Sequence, residues 1–142
     1  MSADLYTSYW SNRDLAKVDM VKVSISRGQP KWPLPFRYRR AMLLAPSRET
    51  FALPSDRAFE AAYLAELEEA GVEKIGAMLR KISDEEGGKP LVLLCWEDVH
   101  AGQLCHRRMF AAWWTEQTGQ QVPELQNSAS SHKRQDAQER LF

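Results

Sequence analysis

Five consecutive apolar residues, Leu91-Val92-Leu93-Leu94-Cys95, stand between a Gly87-Gly88 pair and Trp96-Glu97, and no other segment restricts the fold as strongly. The run is too short for a buried helix, and it lacks the polar alternation of a strand with one wet face. It therefore predicts a strand covered on both sides, as in a parallel sheet with a layer above and a layer below. Such a strand needs neighbours. Two upstream segments supply them: Asp4 to Trp10, rich in strand-favouring residues, and Met20 to Ser26, with Val21, Val23 and Ile25 in alternation.

Helical patterns fill the space between. Ser55 or Asp56 can cap a helix running to about Ala70, with Phe59, Tyr63 and Leu67 on one stripe and Gly71 as its stop. Ile75, Met78, Leu79 and Ile82 mark a second helix that ends at Gly87-Gly88. A third, from about Leu104 to Thr118, carries Met109, Phe110, Trp113 and Trp114 on a broad apolar face, and a last short strand is expected around residues 121–125. Trp113 and Trp114 read as core, although neighbours on a helix diverge and one of them could face a partner. Between Arg27 and Pro35, three prolines and Gly28 rule out a helix or a central strand and predict a long loop. Arg37 to Leu44 fits a short helix or a strand equally well, and the link from Ser11 to Asp19 is short for a full crossover helix.

The expected fold class is therefore α/β: a small three-layer, Rossmann-like sheet, parallel or mixed, flanked by helices. A chain of 142 residues, 44% hydrophobic and 27% charged, supports one such core, placed at residues 1–125. Residues 126–142 are rich in Ser, Gln and charge, with no apolar side chain larger than Ala before Leu141-Phe142, and they predict a disordered polar tail. No apolar run is long enough to span a membrane, so no membrane partner is expected. The N-terminus lacks a secretory pattern, which makes the cytoplasm the expected compartment and reduced thiols the expected state of the two cysteines.

The site prediction follows from the topology. In open α/β sheets ligands bind beyond the carboxyl ends of the strands, where the next helix presents backbone N–H groups. Cys95 and Glu97 close the central strand, and Cys105-His106-Arg107 opens the helix after it. Cys95 is the candidate nucleophile, Glu97 the candidate acid or base, and His106 a candidate proton carrier. Arg107 and Arg27, the latter at another strand end, are candidates for gripping an anion, with Cys105 beside them. Each has a plainer alternative: Cys95 and Cys105 as packed apolar groups, Glu97 as the partner of Arg107 or Arg27, His106 as a cap, and Arg27 as an exposed loop charge.

Cys95, His100, Cys105 and His106 do not match the spacing of a common zinc site, so no metal or other cofactor is expected. With 19 basic and 19 acidic residues, nucleic acid is a weaker expectation than a small anionic molecule or nucleotide, even though Arg37, Arg39 and Arg40 cluster near Tyr38 and Trp32. Homo-oligomerisation is left open.

The pair Leu94-Cys95-Trp96-Glu97 and Cys105-His106-Arg107 resembles the signature of a bacterial and phage family, domain of unknown function 488. Tyr6-Thr7 resembles the Tyr-Thr that opens that family's first strand, and Ser26-Arg27 with Pro30 its strand-end arginine. Tyr9 and Trp10 stand where the family has Gly and His. The resemblance covers roughly residues 4–125 in outline. It implies a Rossmann-like fold, a cytoplasmic protein and a place for Thr7 among the anion-binding residues, but no reaction. Two functions follow as expectations: an enzyme acting on an anionic, nucleotide-like or nucleic-acid-derived substrate, or a non-catalytic module binding a nucleotide or protein at the same rim.

Overall fold

The computed structural model describes residues 3–96 and 106–125. Four parallel strands, β1 (Leu5–Tyr9), β2 (Val21–Ser24), β3 (Arg39–Arg40) and β4 (Leu91–Cys95), form one sheet in the order β1-β4-β2-β3. The apolar run is β4, and it lies between β1 and β2, with Leu91 opposite both Leu5 and Val21. All five of its residues are at most 1% exposed, as its unbroken apolar character requires.

Alternation along β4 divides the core into two. Leu91, Leu93 and Cys95 face a layer of helices, α2 (Asp56–Ala70), α3 (Val72–Glu85) and α4 (His106–Thr118), meeting Tyr63, Leu67, Ile75, Leu79 and Phe110. Val92 and Leu94 face a thinner layer made by Trp10 and Leu15, with Leu34, Phe36 and Tyr38 of the proline-rich segment laid against them. Trp10 meets Tyr38 edge to face at 4.9 Å. This gives the expected three-layer α/β arrangement, all parallel, with the α-helices on one side.

The short link after β1 holds a single 3-10 turn, Arg13–Lys17, started by Asn12, whose side chain accepts from the Asp14 amide. The ambiguous Arg37–Leu44 stretch divides into β3 and a 3-10 turn, Met42–Leu44. One helical turn, α1 (Arg48–Phe51), has no apolar periodicity to announce it; Ser47 caps it and also bonds Glu66. Both Trp113 and Trp114 are buried, their indole N–H groups donating to Glu68 and Gln120. The expected final strand is reduced to one bridge, Thr7 with Glu124, on the outer edge of β1. The predicted tail lies outside the described residues, and among those described no helix is long and apolar enough to cross a membrane.

Ser55 is the cap of α2, its Oγ accepting from the Ala58 amide at 3.1 Å. Ser55→Ala should lower the unfolding free energy by about 1 kcal/mol in urea denaturation, whereas Asp56→Ala should leave that bond in place.

Candidate functional site

Arg107 enters the molecule from the first turn of α4 and is 2% exposed. Its Nε and Nη2 donate to the Glu124 carboxylate at 3.0 and 2.9 Å, and Thr7 Oγ1 donates to the same carboxylate at 2.7 Å. Nη1 reaches Cys95 Sγ at 3.3 Å, and the guanidinium stands 5.7 Å from the Tyr9 ring centroid. This buried network ties the end of β4, the start of α4 and the terminal segment to β1. Arg107 and Thr7, both expected to grip an anion, are thus engaged within the protein. Two donors of the Arg107 fork go to an internal carboxylate. Thr7 likewise serves Glu124, which alternation in β1 places on its side of the sheet.

Cys95 is 1% exposed and its sulfur is disulfide-bonded. The expectation of reduced thiols is corrected for this residue. That expectation rested on compartment alone, which says nothing of which sulfurs the fold holds within bonding reach. A disulfide sulfur offers no thiolate, so Cys95 is no nucleophile in this state. Glu97, His100 and Cys105 lie outside the described residues.

His106 is buried, with Nε2 2.6 Å from the Ile25 carbonyl oxygen. A carbonyl only accepts, so Nε2 carries the proton. Burial drives the imidazole pKa down to about 4, with the Arg107 charge adding to that shift and the Ile25 bond opposing it. The ring is therefore held neutral at pH 7. It packs edge-on to Tyr63, whose hydroxyl donates to the Leu44 carbonyl and whose pKa burial raises further.

A cleft of about 660 Å³ opens at the carboxyl ends of β2 and β4. Its lining includes His106 and Cys95, the apolar side chains of Phe51, Leu53 and Phe59, and Trp96 with Arg27. Of the large apolar side chains that are conspicuously exposed among the described residues, Phe51, Leu53 and Trp96 line this cleft, and Trp32 meets Trp96 edge to face at 5.5 Å. Trp32 adjoins the cleft through Trp96 without lining it, and Met42 is not among its lining residues. Such convergence is a mark of a binding surface. Arg27 is half-buried and donates from Nη1 to the Pro46 carbonyl at 3.3 Å, which leaves most of its five donors for a ligand. The start of α2 and Asp56 complete the rim.

Of the seven predicted residues, Arg27, Cys95 and His106 meet at this cleft; Thr7 and Arg107 form the neighbouring buried network. Sequence reasoning missed Glu124, although an acid within a predicted short strand was a signal for a partner. It also missed Phe51 and Leu53, which have no periodicity to expose them. The basic cluster is largely neutralised: Arg37 pairs with Glu86, and Arg39 with Glu85 at 2.7 Å and Glu86 at 3.3 Å. No protein-family model, curated protein or solved structure matches the chain.

Proposed function

We propose that the protein is a binding module for a small, anionic, nucleotide-like molecule held in the cleft at the ends of β2 and β4. The observation that carries this reading is the convergence of Phe51, Leu53 and Trp96 around Arg27. Flat apolar and aromatic surfaces suit a ring, since every base has a π face to stack. The guanidinium suits a phosphate or carboxylate, and the positive end of α2 adds to it. The non-catalytic form is preferred because, of the three groups offered for chemistry, the two among the described residues are a disulfide-bonded sulfur and a neutral, carbonyl-bound imidazole.

A catalytic reading has one observation in its favour. Cys95 touches both the cleft and the Arg107 guanidinium, so a thiol released there by exchange with an external dithiol, itself oxidised to a disulfide, would lie beside a positive charge, with Glu97 two residues away in sequence. Kinship with the domain of unknown function 488 family is also proposed, supported by the contact between its signature residues Cys95 and Arg107.

Titrating the protein with a panel of nucleoside monophosphates, read by tryptophan fluorescence, tests the binding module. At least one should bind saturably, and Arg27→Ala should weaken it at least about tenfold. Saturable binding that ignores Arg27→Ala and Trp96→Ala would refute the assignment of this cleft.

A further inference from the structure

At the opposite end of the sheet lies a second, smaller cavity of about 180 Å³. Lys22, the second residue of β2, stands in it, and Lys89, just before β4, borders it. Arg37 reaches it from the segment that leads into β3, and Arg39 from β3 itself. Four cations from three separated parts of the chain thus meet in a space less than a third the size of the cleft.

Their counter-ions are unevenly shared. Lys89 pairs with Asp19 at 2.8 Å, Arg37 with Glu86, and Arg39 with Glu85 and Glu86. Lys22 has no carboxylate within ion-pair distance among the described residues. Its ammonium donates to the Val18 carbonyl at 2.9 Å and lies 5.7 Å from the Phe36 ring centroid. Partial burial disfavours its charge and lowers its pKa, Asp19 opposes that shift and Lys89 reinforces it. An ammonium has three donors, and each guanidinium keeps donors beyond those given to Glu85 and Glu86. Surplus charge, unused donors and small volume occur together here.

We propose that this cavity is a binding site for a single tetrahedral oxyanion, a phosphate group, with Lys22 at its base and Arg37 and Arg39 at its rim. Glu86 is then the internal competitor of the ligand: it holds both arginines until a phosphate enters between them and Lys22. The cavity is too small for the nucleotide-like ligand proposed for the cleft, so the two sites stand or fall separately.

Calorimetric titration at physiological ionic strength tests this, with inorganic phosphate in one arm and phenyl phosphate in the other. Saturable binding of phosphate, weakened at least about tenfold by Lys22→Met, is the expected result; methionine keeps the apolar stem over Phe36 and removes the charge. Glu86→Gln should tighten binding several-fold by removing the competitor, which provides a test should Lys22→Met fail to fold. Tighter binding of phenyl phosphate would identify the phosphate as part of a larger ligand, and preference for inorganic phosphate would identify the free anion. Binding that is absent, that Glu86→Gln leaves unchanged, or that is lost in Arg27→Ala but kept in Lys22→Met would overturn the proposal.

Discussion

Glu124→Ala is expected to destabilise the fold by about 3–5 kcal/mol, one of the two largest single-site effects foreseen, although Glu124 belongs to no helix or named strand. The reason lies with its partner. Removing the carboxylate strands a guanidinium that is 2% exposed and takes from Thr7 the acceptor of its hydroxyl. Replacing both charges should behave differently: Arg107→Met with Glu124→Leu should recover most of the loss, because a buried ion pair gains little over apolar groups of similar size. Equilibrium urea unfolding of the single and double variants measures both quantities. A single variant within about 1 kcal/mol of wild type would show that the pair is not buried in solution as described.

The second large effect is a loss of stability in mild acid. The folded state holds His106 neutral down to about pH 4, whereas the unfolded chain takes up a proton near 6.5. Above that upper value neither state is protonated and the full stability is present. As pH falls from about 6.5 to 4, only the unfolded state binds the proton, so stability declines through that window, by roughly 3 kcal/mol at its lower end. Carboxylates also titrate there, so the contribution is read as the difference between wild type and His106→Gln, whose side-chain amide can still donate to the Ile25 carbonyl. A difference that stays flat between pH 7 and 4 would show that His106 charges as easily folded as unfolded.

Much of the framework was legible in the residues. The apolar run at 91–95 is β4 to the residue, and the stripes of α2 and α3, with Ser55 and Gly71 at their ends, fell where spacing and capping placed them. These elements depend on periodicity and local hydrogen bonds, which a sequence displays directly. β3 was ambiguous because its two residues are held by pairing with Val23 and Ser24, which nothing in Arg39-Arg40 announces. At the site, Arg27, Cys95 and His106 line one cleft at the strand ends. What topology could not supply was the partner of each. Arg107 has the same fork whether it grips a ligand or Glu124, and the choice is made by a bridge across more than one hundred residues. The aromatic wall at Phe51 and the bonding state of Cys95 are likewise matters of tertiary proximity.

The insertion of β4 between β1 and β2 also fixes an order of events. Neither of the first two strands pairs with the other; what joins them is β4, a strand that arrives some seventy residues after β2. During synthesis, β2 can bond the short β3 and the helices can begin to coil, but the central ladder has no middle until Cys95 has been made. Closing such distant pairings is entropically slow, and until then Val21, Val23 and Leu5 are exposed along open strand edges. The nascent chain therefore carries these adhesive edges throughout the synthesis of the segment between β2 and β4, and its solubility in that interval depends on what shields them before the last strand arrives.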